Sequence, residues 1–166
     1  MARGQAIPSL KGRATLTNPV HFLALGFGTG LAPRAPGTVG TLAGIALYVL
    51  LLALPLWGYL VATLIVVIAG VWICDRAARD FGVHDHPAIV WDEVAGFLIT
   101  MIAAPVGILW VITGFVLFRA FDVLKPWPIS WLDRRVGGGF GIMADDVLAG
   151  VFAAVCLQLL AMIIGA

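Results

Sequence analysis

The sequence predicts an all-α fold, a polytopic membrane helical bundle of about four to five spans with a short re-entrant or interfacial helix near the N-terminus. Three observations carry that expectation. Hydrophobic residues make up 61% of the chain and charged residues 11%, where soluble domains run at about 45–50% and about 25%. Several uncharged runs approach the length of about 20 residues that a helix needs to cross a bilayer. All nineteen charged residues fall in three blocks, 3–34, 75–93 and 119–146. With 166 residues there is room for one domain, expected over 18–166 and embedded in the membrane. Residues 1–17 carry Arg3, Lys11 and Arg13 with no apolar core. They predict a flexible cytoplasmic N-terminus rather than a signal peptide.

Taken in order, the segment 20–32 is apolar and glycine-rich but short, which fits an interfacial or re-entrant piece better than a crossing. The runs 38–54 and 57–74, split at Pro55, read as a helical hairpin. The run 94–118 is uncharged but holds Pro105 and Gly107. It reads as a hairpin of two helices reaching into the flanking polar segments, with a single kinked span as the alternative. The run 147–164 supplies the last span. The hairpin reading puts all three charged blocks on one side, and since they hold every lysine and arginine, that side is expected to be cytoplasmic. A formal charge of +1 and the absence of a basic run argue against a nucleic-acid partner. Cys74 and Cys156 lie in or beside apolar stretches and read as buried free thiols.

The charged blocks hold the candidate chemistry. The second runs through His84, Asp85 and His86 to Asp92-Glu93 at the mouth of an apolar helix. Ionised groups near a bilayer usually pair or bind ions. The third opens with Arg119, Asp122 and Lys125, three residues apart and so along one side of a helix. It ends in Asp145-Asp146, expected at the start of a second apolar helix. Gly96 and Gly150 follow the two acidic pairs and allow close helix approach. Four carboxylates at one depth suit Mg²⁺, which takes oxygen ligands together with substrate phosphate. Zinc fits less well, because His84 and His86 are two apart with no cysteine near them. If His84 acts, its natural task is proton donation. His21 reads as structural. In the first block, glycines 26, 28 and 30 precede Arg34 and Ala35-Pro36-Gly37-Thr38. Such a loop before a helix suits either phosphate binding or close packing, and Arg34 tilts the reading toward phosphate.

Together these blocks resemble the phosphatidylglycerophosphatase A family, bacterial membrane enzymes that remove the terminal phosphate of phosphatidylglycerophosphate. The resemblance runs from about residue 18 to 150. It rests on Asn18-Pro19, Gly26 to Gly30 with Ala35 to Thr38, Gly82-Val83-His84-Asp85, Ile89 to Glu93, Phe118-Arg119, Phe121-Asp122, Lys125 to Pro128, and Gly138-Gly139 with Gly141 to Met143 and Asp145-Asp146. It implies an all-helical fold, Mg²⁺ dependence, and hydrolysis of a phosphate monoester on a phospholipid substrate held in the cytoplasmic leaflet of the bacterial inner membrane. The expected metal ligands are Asp92, Glu93, Asp145 and Asp146, with Asp122 as a further one. Asp85 and His84 join the carboxylates as catalytic candidates, with a covalent route through Asp85 or Asp92 left open. Arg34, Thr38, Arg119 and Lys125 are expected on the substrate phosphate. Two other classes stand beside this one, a small cation transporter or channel with acidic helix ends and a non-catalytic scaffold. The sequence leaves the oligomeric state open.

Overall fold

The computed structural model describes Leu10 and residues 16–165. Arg3, Lys11 and Arg13, and with them most of the expected flexible N-terminus, lie outside the described residues. Among the described residues every regular element is helical: α1 Pro19–Ala24, a 3₁₀ segment Gly26–Leu31, α2 Pro36–Leu51, α3 Leu56–Phe81, α4 Trp91–Thr100, α5 Ile108–Leu124, α6 Ile129–Arg135 and α7 Gly138–Ile164.

The segment 20–32 forms two short helical pieces. Asn18 caps α1 by accepting from the Val20 N–H at 2.9 Å, and Pro19 fits the first helical turn, where no N–H is needed. His21 is buried with Nε2 3.0 Å from Asp80 Oδ2, which docks α1 on α3. Pro55 separates α2 from α3 as expected. Helix α3 runs seven residues past the apolar run, to Phe81. Its polar end stays helical because the charges alternate in sign at i,i+4, pairing Asp75 with Arg79 and Arg76 with Asp80. Gly82, at φ 71, then ends it in the left-handed conformation.

The run 94–118 is two helices, α4 and α5, with the break at Pro105 and Gly107; the single kinked span is not formed. Helix α4 has 10 residues, roughly 15 Å at 1.5 Å per residue, well short of the ~30 Å hydrocarbon core. It is the centre of the bundle, with nine of its residues buried and α2, α3, α5 and α7 packed around it. A short helix ending inside an apolar bundle leaves carbonyls that need donors. Tyr59 Oη on α3 donates to the Leu98 carbonyl at 2.6 Å, and Gln158 Nε2 on α7 donates to the Ile102 carbonyl at 2.9 Å.

Helices α3 and α7 are each long and apolar enough to cross a membrane. Their outward faces expose Trp57, Leu64, Ile68 and Trp72 on α3 and Val155, Leu159 and Met162 on α7, a girdle suited to lipid. Cys74 and Cys156 are both free; Cys74 is buried, and Cys156 only half-buried because its helix face is partly open.

Candidate active site

The acidic pairs enter the site differently from each other. Asp92 and Glu93 lie in the first turn of α4, where the helix dipole favours negative charge. Asp145 and Asp146 do not stand at a helix start, as the sequence suggested. Helix α7 begins at Gly138, so the pair lies two turns inside it. The glycine run is drawn into the helix because it packs against α3: a Cβ on Gly139 would fall on the Val71 carbonyl and 2.5 Å from Asp75 Cβ.

Close helix contact brings the pairs together. Gly96 follows Asp92 by four residues and Gly150 follows Asp146 by four, so each glycine lies one turn below its carboxylate on the same helix face. A Cβ on Gly150 would sit 2.5 Å from the Gly96 carbonyl oxygen, and one on Gly96 2.8 Å from the Asp146 carbonyl oxygen. Backbone thus meets backbone just beneath the site. The result is that carboxylate oxygens of Asp92, Glu93 and Asp146 lie within 4.8 Å of one another.

Two basic residues close the far wall. Arg119 on α5 places Nη1 2.5 Å from Asp122 Oδ2 and 3.6 Å from Glu93 Oε1, linking α5 to α4. The expected single stripe of Arg119, Asp122 and Lys125 is broken, because α5 ends at Leu124 and Lys125 turns away at φ 41. Pro126 explains the stop: its ring disfavours helical geometry in the residue before it and it has no N–H to give. Lys125 Nζ consequently reaches Asp145 at 2.6 Å and Asp133 of α6 at 2.5 Å. Burial alone would lower the Lys125 pKa, but its hydrogen bonds to Asp133 and Asp145 and their negative charge outweigh that and raise it. The side chain stays cationic across neutral pH.

These groups surround a cavity of about 410 Å³. Its lining brings together Asp85, Asp92, Glu93, Asp122, Asp145 and Asp146 with Arg119 and Lys125, beside Ala35, Pro36 and Gly37 at the start of α2. Gly37 touches the acid directly, since a Cβ there would fall on Glu93 Oε1. Gly30 in the preceding 3₁₀ segment and Gly40 within α2 serve packing: Cβ atoms on them would collide with the Ala88 carbonyl and Val90. Arg34 is exposed, and neither it nor Thr38 lines the cavity. His84 also lies outside, its Nε2 accepting from the Gly138 N–H at 2.7 Å. Asp133, which pairs with Lys125, was not singled out from sequence; within Trp131-Leu132-Asp133-Arg134-Arg135 it reads as part of a solvated charged turn, and only the fold places it beside Lys125.

Six carboxyl groups and two basic side chains line the cavity. Ionised, those carboxyls would repel a phosphate, since like charges a few ångströms apart in a partly buried site repel by several kcal/mol. The donors at its centre are all oxygens, and Glu93 Oε2 is buried with no hydrogen-bond partner among the described residues. Buried oxygens in native sites are normally satisfied, and an all-carboxylate cluster is the donor set that hard divalent cations take.

The family model described as phosphatidylglycerophosphatase A matches residues 22–161. The chain is 50% identical over 145 residues to the phosphatidylglycerophosphatase A of Escherichia coli, covering 87% of this chain and 84% of that one. It is 46% identical over 145 residues to the phosphatidylglycerophosphatase A of Haemophilus influenzae, covering 86% and 89%. No solved structure matches it. The aligned length takes in every element from α2 to α6 and most of α7, and with it every residue lining the cavity, so that the chain belongs to the phosphatidylglycerophosphatase A family.

Proposed function

We propose that this protein is a lipid phosphatase that hydrolyses the terminal phosphate monoester of phosphatidylglycerophosphate, releasing phosphatidylglycerol and inorganic phosphate. Family membership supplies the substrate. The observation that carries the mechanism is the cluster of Asp92, Glu93 and Asp146, with oxygens within 4.8 Å of one another in a cavity also lined by Arg119 and Lys125.

In this reading Asp92, Glu93 and Asp146 hold Mg²⁺, with Asp145 and Asp122 as further ligands. When bound, the ion supplies positive charge beside the phosphoryl group and acidifies water. Arg119 and Lys125 neutralise phosphoryl oxygens as charge develops on them, released in part from the carboxylates that hold them in place. Asp85, exposed at the rim, takes the proton from the attacking water. The new bond joins that water's oxygen to phosphorus. The bond that breaks joins phosphorus to the glycerol oxygen, which leaves as an alcohol on taking a proton from solvent water, to which Asp85 returns the proton it took.

Residues 18–166 act as one membrane-embedded domain. Helices α2, α3, α5 and α7 cross the bilayer, α4 fills its centre as a buried half-length arm, and α1 with the 3₁₀ segment lies at the interface. The cavity opens at the end of the bundle that carries every described lysine and arginine, the cytoplasmic end by the positive-inside rule. The lipid stays in the inner-membrane leaflet on that side and offers only its headgroup. A cation channel finds no support here, because the opposite turns, around Pro55 and Pro105, carry no charged residue to form a second polar mouth.

The test is phosphate release by the purified protein in lipid–detergent micelles, across a panel of phospholipid monoesters, with Mg²⁺ or with a chelator. Release from phosphatidylglycerophosphate should require Mg²⁺, and Asp92→Asn and Asp146→Asn should abolish it while still inserting in the membrane. Near-normal turnover in both variants would remove the metal assignment; no release by the unaltered chain would remove the function.

A further inference from the structure

Helix α7, which carries Asp145 and Asp146, opens in Gly137, Gly138 and Gly139, none of which has a side chain to cap it. Its first N–H groups are held by residues from elsewhere in the chain. His84 Nε2 accepts from the Gly138 N–H at 2.7 Å, and Asp75 Oδ1 on α3 accepts from the Gly139 N–H at 3.2 Å. The other oxygen of Asp75 holds Arg79 one turn further along α3. Since a backbone N–H can only donate, His84 must present a lone pair at Nε2, which a neutral ring does with its proton on Nδ1.

His84 belongs to the loop between α3 and α4, the same loop that delivers Asp92 and Glu93 eight and nine residues later. Its bond to Gly138 therefore spans the two halves of the carboxylate cluster, one half on α4 and the other on α7. We propose that His84 is a positioning residue: a strut between the α4 lead-in loop and the first turn of α7 that sets the depth and rotation at which Asp145 and Asp146 meet Asp92 and Glu93. The mechanics follow from helix geometry. A slip of one residue along α7 moves each carboxylate by about 1.5 Å and turns it by about 100°, and misplacement of about 1 Å costs on the order of a hundredfold in rate. The glycine contacts near Gly139 and Gly150 fix how closely α7 approaches its neighbours. They do not hold it against sliding or turning, because a glycine face has no side chain to lock. His84 and Asp75 supply directed bonds at that end.

This inference rests on the cavity being the active site, and its test keeps the two apart. In glutamine the side-chain oxygen reaches the place of Nε2 and accepts there; in asparagine it falls short. His84→Gln should therefore keep kcat within about threefold of the unaltered chain, whereas His84→Asn and His84→Ala should lose on the order of tenfold or more with little change in KM. Amide hydrogen exchange over residues 137–141 gives a second readout that needs no turnover: it should quicken in His84→Asn and His84→Ala and return to normal in His84→Gln. If His84→Gln is as inactive as His84→Ala while remaining monodisperse and exchange-protected, the imidazole itself moves a proton and the strut is overturned. Exchange that is the same in all four proteins overturns it too. Failure of the unaltered chain to release phosphate would count against the functional reading, leaving the exchange comparison to decide the strut.

Discussion

At the scale of single residues, Arg119 does most to hold the polar cavity together. Its guanidinium spans Glu93 on α4 and Asp122 on its own helix, and its Nε is buried with no partner among the described residues, a donor that the proposed function assigns to a phosphoryl oxygen. A lysine carries a single nitrogen at its tip, so it cannot occupy both the place of Nη1 between Glu93 and Asp122 and the place of the unpartnered Nε. Arg119→Lys should therefore lower kcat/KM by roughly tenfold or more, read from phosphate-release kinetics; an unchanged value would leave Arg119 without a role at the phosphate. The residue types of the site were legible in the sequence. Acids and bases in an apolar chain are costly, and the blocks at 75–93 and 119–146 stand out for that reason. Which acid pairs with which base was not legible. Lys125 is bound to Asp133 and Asp145 through a left-handed turn before Pro126, and a helical extrapolation from Arg119 and Asp122 points it elsewhere.

At the scale of elements, the site depends on one helix crossing. Gly96 and Gly150 let α4 and α7 touch a single turn below Asp92 and Asp146, and the two tyrosine and glutamine donors that satisfy the α4 end keep it inside the bundle. A methyl group on Gly150 meets a backbone carbonyl, which cannot rotate aside as a side-chain tip can. Gly150→Ala should destabilise the protein by about 1–3 kcal/mol, lowering its midpoint in detergent thermal unfolding, and should reduce turnover as the carboxylates separate. An unaltered midpoint would mean that the crossing is looser than described. The glycines were visible as candidates for close approach because each follows an acidic pair. The break between α4 and α5 was visible too, since Pro105 and Gly107 interrupt the apolar run. Helix α6 was not, since seven residues of mixed polarity carry no clear period. Nor was the early start of α7, because a glycine run reads as a loop until a neighbouring backbone is there for it to pack on.

At the scale of the whole molecule, charge is sorted to a few segments, and the proposed function adds a cation among the carboxylates gathered there. An ion that binds the folded chain and not the unfolded one stabilises it by mass action. Mg²⁺ should raise the unfolding midpoint of the unaltered protein, a chelator should lower it, and Asp146→Asn should abolish the difference; equal midpoints with and without Mg²⁺ would argue against a bound ion. The topology has its own check. Single cysteines at Gly107 and at Arg135, in a chain with Cys74 and Cys156 replaced, should be labelled from opposite faces of sealed vesicles, and labelling from the same face would overturn the crossing of α5. Apolar composition, the helical class and the clustering of acids and bases were legible in the sequence, because they express transfer free energies that hold wherever the residues lie. Only the tertiary structure decided that Asp92, Glu93 and Asp146 share one small volume, that α4 is a buried half-helix, and that His84 braces α7 while Arg34 stands outside. Each of these depends on the distance between segments far apart in the chain, which packing of backbone against glycine sets and local sequence does not encode.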